Sequence, residues 1–77
     1  MLTLKRSVES TSIHPATGQA ISDGILPAGT KVYSRSGWKR RRSEFDGRYY
    51  VEFKVKDQNG FVGLEEALED DLEAALR

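Results

Sequence analysis

Apolar and polar residues alternate most cleanly at Tyr49-Tyr50-Val51-Glu52-Phe53-Lys54-Val55-Lys56. Tyr49, Val51, Phe53 and Val55 share one parity, and Tyr50, Glu52, Lys54 and Lys56 share the other. Period two with β-branched and aromatic residues on one side predicts a half-buried strand. Asp57-Gln58-Asn59-Gly60 follows it, and Asn-Gly tolerates the positive φ angles of a tight hairpin turn. Phe61-Val62-Gly63-Leu64 is therefore the returning strand. Asp46-Gly47 is a second turn signal, which pairs the segment from about Trp38 to Phe45 with residues 48–56. Pro27-Ala28-Gly29 is a turn ahead of a strand over residues 30–34, with Val32 inward.

The first 24 residues carry a weaker pattern. Leu2, Leu4 and Val8 suit an N-terminal strand, Ser10-Thr11-Ser12 and residues 14–18 carry loop chemistry, and a short strand is expected around residues 19–22. From Leu64 the period reads as helical: Leu64, Leu68, Leu72, Ala75 and Leu76 fall on one side, and Glu65, Glu66, Glu69, Asp70 and Glu73 on the other. The acids at 70, 71 and 73 sit late in that helix, where the macrodipole prefers cations, so its last turn frays unless the leucines are packed. The chain divides accordingly into an N-terminal strand and polar loop (1–24), a β core (25–64) and an acidic helix (65–77).

Composition narrows the class. The chain has 77 residues, 38% hydrophobic and 31% charged, the balance of one small globular domain. It has no cysteine, which excludes disulfides, thiolate metal sites and cysteine nucleophiles. No apolar run is long enough to span a bilayer, and no apolar stretch follows Lys5-Arg6 as a secretory signal requires, so no membrane association and a cytoplasmic location are expected. The net charge of zero conceals a polarised chain. Residues 31–56 hold nine basic and three acidic side chains, and residues 57–77 hold seven acidic and one basic.

Candidate chemistry follows from that polarity. Arg35, Lys39, Arg40, Arg41, Arg42 and Arg48, interleaved with aromatic residues, have the composition of a nucleic-acid surface, because cations release phosphate counterions and rings stack on bases. The competing reading is a set of arginines paired with the acidic helix of the same molecule. Trp38, Tyr49 and Tyr50 suit an aromatic groove for a protein partner, with Trp38 alternatively closing one end of the core. Glu65, Glu66, Glu69, Asp70, Asp71 and Glu73 suit either a hydrated face or a surface for a basic partner. His14 is the single histidine, without a ligand cluster around it. No serine sits in a nucleophile elbow, no glycine-rich phosphate loop exists, and the Glu44/Asp46 pair lies in a turn. Neither an enzyme nor a cofactor is expected.

The pattern of residues 25–69 resembles the small SH3-like barrels of bacteria. It runs Ile-Leu-Pro-Ala-Gly-Thr-Lys-Val, a polar hairpin with Gly37-Trp38, Asp46-Gly47-Arg48-Tyr49-Tyr50-Val51-Glu52-Phe53, and Gly60-Phe61-Val62-Gly63-Leu64. Bacterial SH3 members open with an apolar-x-x-Gly-Thr-x-Val strand and close with a Gly-aromatic-Val strand. The resemblance covers a little over half the chain and implies a fold: mainly β, a small SH3-like barrel with a short C-terminal amphipathic acidic helix. The plasmid-borne dihydrofolate reductase has a similar small barrel, but its Val-Gln-Ile-Tyr substrate motif is replaced here by Gly60-Phe61-Val62-Gly63. Two function classes stay open: a non-catalytic adaptor engaging a protein partner, or a nucleic-acid-binding accessory protein of phage or plasmid type. Self-association into a homo-oligomer suits either.

Overall fold

The computed structural model describes residues 1–77 as seven antiparallel strands and one terminal helix. Its central strand is the segment with the cleanest alternation, β6 (Tyr49–Lys56), in which Val51, Phe53 and Val55 are buried. The expected hairpin forms: β7 (Val62–Leu68) returns along β6 from Lys56↔Val62 to Tyr50↔Leu68, around a turn in which Gly60 has φ +85°. An L side chain rarely adopts that backbone conformation, so glycine is what closes the turn. The other edge of β6 is shared. β4 (Lys31–Val32) covers its C-terminal end and β5 (Lys39–Arg42) its N-terminal half. β1 (Leu2–Thr3) lies outside β4, while β2 (Val8–Ile13) pairs with β7 and carries β3 (Ala20–Leu26) as a free edge.

Two sequence expectations are corrected here. Residues 64–68, assigned above to the helix, continue strand β7, and the helix α1 begins only at Glu69 (Glu69–Leu76). The reason is non-local: β7 has a hydrogen-bonded neighbour on each side, β6 and β2, so extended backbone satisfies both of its polar edges. The later start also reverses the dipole argument. Glu69, Asp70 and Asp71 occupy the first turn of α1, where negative charge is favourable. At the other end the Ala75 carbonyl accepts backbone N–H bonds from Lys5 (2.7 Å) and Arg6 (3.3 Å), which tie down the turn expected to fray.

The second correction concerns the N-terminus. Ser10-Thr11-Ser12, read as loop, is the middle of β2, and the strand expected near residues 19–22 runs through Leu26. Leu4 and Val8 join Val32, Val51, Phe53, Val55, Ala67, Leu72 and Ala75 in one core, so the segments 1–24, 25–64 and 65–77 share a single interior. α1 closes the inner face of the sheet with Leu72, which is fully buried. The opposite, outer face is left without a helix.

Candidate functional site

β5 places the basic run on both faces of the sheet. Residues opposite each other in an antiparallel pair share a face, so Arg40 follows inward Val51 and Arg41 follows outward Tyr50. Each of three arginines meets an aromatic ring and a glutamate together. The Arg41 guanidinium donates to Glu66 at 2.8 and 2.7 Å, with its carbon 5.0 Å from the Tyr50 ring centroid. Arg40 lies 2.9 Å from Glu69 and 3.6 Å above the Tyr49 ring. Arg35 bonds Glu73 through Nε at 2.9 Å and sits 5.4 Å from the Trp38 ring. Hydrogen bonds donated to Glu73 and Glu66 raise the pKa of Arg35 and Arg41, respectively, above the ordinary value, and the bond from Arg35 lowers that of Glu73.

Lys39, Arg42 and Arg48 belong to none of the three ion pairs, although Arg42 Nε donates to the Gly47 carbonyl at 3.2 Å. All three pairs are solvent-exposed, so each contributes little stability on its own. Their effect is on the surface: three of the nine cations of residues 31–56 meet three of the seven acids of residues 57–77 within one molecule.

The aromatic residues do not form one groove. Tyr49 and Tyr50 are consecutive strand residues and point to opposite faces. Trp38 is half-buried, with its ring 6.1 Å from Phe53 and its indole N–H donating to the Tyr33 carbonyl at 3.0 Å, so it closes one end of the core. The acidic residues also separate. Glu65 is buried on the inner face, where its two oxygens accept hydrogen bonds from Ser10 Oγ (2.7 Å) and Ser12 Oγ (3.0 Å). Glu66 lies on the outer face, Glu69 and Glu73 are held by arginines, and Asp70 is exposed.

What the fold does assemble is a hollow of about 510 Å³ on the outer face, spanning β3, β2, β7 and β6 and the first turn of α1. Its apolar lining is Ile25, Tyr50, Ala67 and Leu68, and its carboxylates are Glu9, Asp23, Glu66 and Asp71. Only Glu66 has an ion-pair partner; Asp23 accepts the Thr11 hydroxyl at 2.7 Å. Tyr50 Oη in turn donates to Asp46 at 3.0 Å, and the pKa of Tyr50 is raised by that carboxylate. Asp46 is shifted below the usual carboxylate range, chiefly by the Arg48 backbone N–H and further by Tyr50.

Of the residues singled out from sequence as candidates for binding, Tyr50, Glu66 and Asp71 line this hollow. Glu9, Asp23, Ile25 and Leu68 were missed as site residues. The parity of Glu9/Thr11 and Asp23/Ile25 is the signal that reveals them, once residues 8–26 are recognised as a hairpin. No group of three or more His, Asp or Glu side chains has a metal-holding arrangement, and no helix is long and apolar enough to cross a membrane. The chain matches no protein-family model, no curated protein and no solved structure.

Proposed function

We propose that this chain is a small SH3-like β module that binds a protein partner through the outer face around Tyr50 and performs no catalysis. The fold-level part of this reading rests on the Gly29-Thr30-Lys31-Val32 segment, whose last two residues are β4 with Val32 fully buried, and on Gly60-Phe61-Val62-Gly63, which leads into the closing strand of the β6/β7 hairpin. The binding part rests on one observation: the outer hollow combines exposed Ile25 and the Tyr50 ring with three carboxylates that no cation of the chain neutralises. Apolar floor, aromatic wall and polar rim are the usual make-up of a protein-docking surface. Its chemistry suits a segment carrying apolar and basic side chains.

The nucleic-acid reading keeps one observation in its favour, the exposed Lys39, Arg42 and Arg48 outside the ion pairs. Against it, the Arg35, Arg40 and Arg41 charges face carboxylates of β7 and α1, which would repel a phosphate backbone at the same place. Site-specific photo-cross-linking separates the two. A photoreactive residue at Ile25 should give a discrete protein adduct in host lysate that nuclease leaves unchanged, and one at exposed Phe61 should not. An adduct that disappears with nuclease, or none from position 25, contradicts the reading.

A further inference from the structure

The β5–β6 turn beside the hollow presents a side chain that nothing in the fold uses. Phe45 is completely exposed. The turn that carries it is nevertheless tightly bonded: Ser43 N–H donates to the Arg48 carbonyl (2.8 Å), Gly47 N–H to the Ser43 carbonyl (2.9 Å), Phe45 N–H to Ser43 Oγ (3.2 Å) and Arg48 N–H to Asp46 (2.8 Å). An aromatic ring with two rotatable bonds on a pre-ordered turn loses little freedom when it docks. Exposed Arg42 and Arg48 flank it, outside the ion pairs. Of the acids beside Phe45, Asp46 is engaged by the Arg48 N–H and the Tyr50 hydroxyl, and a projecting ring on a turn that begins and ends in an arginine is the counterpart of a hollow with an apolar floor and unpaired carboxylates.

Tyr50 links the two features, since its ring lines the hollow and its hydroxyl bonds Asp46 in the turn. The projection and the hollow therefore lie close together, and Phe45 does not fill the hollow of its own chain. A two-fold axis allows both contacts to form at once and closes the assembly. We propose that a second copy of this chain occupies the outer hollow: two molecules pair reciprocally, each placing Phe45 on the Ile25/Leu68 floor of the other, with Arg42 and Arg48 facing Glu9 and Asp23. A net charge of zero leaves no overall repulsion against this pairing. The assignment rests on the reading of the hollow as a protein-docking surface and names its occupant.

Sedimentation equilibrium of the full chain over a concentration series, up to about 1 mM for a contact of this small size, provides the test. The expected result is a mass rising from one to two copies. Phe45→Ala should weaken association by at least about 30-fold, the loss expected of a central aromatic anchor. The double reversal Glu9→Lys with Asp23→Lys should do the same, and both variants should keep the wild-type far-UV spectrum, since all three side chains are exposed. Mixing the two variants should restore association in part, because one copy then supplies an intact projection and the other an intact hollow. A wild type that stays monomeric, a dimer indifferent to both variants, or a mixture no better than its components overturns the proposal. A monomeric wild type that still yields a nuclease-resistant lysate adduct from position 25 removes only the second copy as occupant; absence of that adduct removes the docking surface itself.

Discussion

Replacing Phe53 by alanine tests the architecture at its centre. Phe53 is 1% exposed in the middle of β6, packed within the core and against the Trp38 ring. An aromatic side chain buries about 150–250 Å². At about 25 cal/mol per Å² this corresponds to roughly 4–6 kcal/mol, part of which the alanine methyl retains. The Trp38 contact adds about 0.5–1.5 kcal/mol, and a core this small collapses only partly around the cavity, so a loss of about 3–5 kcal/mol is expected. A 77-residue domain has roughly 4–12 kcal/mol in total. Urea unfolding, followed by the single tryptophan and by far-UV circular dichroism at one fixed protein concentration, reads the change. With a slope near 1 kcal/mol per M, the midpoint should fall by about 3 M or the variant should be unfolded in water. Lys54→Ala, the exposed neighbour, should remain within about 0.5 kcal/mol of wild type. A Phe53→Ala midpoint within about 1 M of wild type at unchanged slope would refute the inward register of β6.

Three further outcomes follow from the same packing. Glu65→Ala should cost about 1–3 kcal/mol in a urea melt because it strands the buried Ser10 hydroxyl, whereas Glu66→Gln, at an exposed pair, should cost no more than about 1 kcal/mol. Leu72→Ala should cost about 2–5 kcal/mol, and deletion of residues 70–77, which removes both buried side chains of α1, Leu72 and Ala75, along with the Ala75 carbonyl bonds to Lys5 and Arg6, should abolish the cooperative transition. Arg35 depresses the pKa of Glu73, so this pair's stabilisation is present above the free carboxyl's value of 4.5 and is lost as the pH falls through the lower folded value. Thermal melts across the acid range should show Glu73→Gln less acid-sensitive than wild type, and identical acid limbs would contradict the linkage.

The parts of the fold legible in the sequence are those set by near neighbours. The parity of residues 49–56 and the Asn59-Gly60 turn are local, and β6, its buried face and the return of β7 all follow from them. Leu64 and Leu68 are four apart, a spacing that satisfies both a helix face and one side of a strand, and only the presence of β2 as a second neighbour decides for the strand. β2 itself was obscured because its inward residues at 10 and 12 are serines. They serve Glu65, 53 to 55 positions away, and a buried polar cluster assembled over that distance leaves no local periodicity. The same gap hid the hollow, whose walls come from residues 9–25 and 50–71. The separation of Tyr49 from Tyr50, by contrast, was already implicit in the parity of the strand.

Arg35, Arg40 and Arg41 are met by carboxylates within the fold, which weakens the basic cluster as a phosphate-binding surface and leaves the outer face as the proposed protein-binding one. Titration of the wild-type chain into labelled DNA and RNA of arbitrary sequence, by fluorescence anisotropy at low and physiological salt, tests it most directly. The pairing of Arg35, Arg40 and Arg41 with Glu73, Glu69 and Glu66 predicts binding no tighter than about 100 µM at physiological salt, the weak end of non-specific association. Binding at about 1 µM in that salt, falling steeply as salt rises and abolished by reversing Arg40, Arg41 and Arg42, would contradict it.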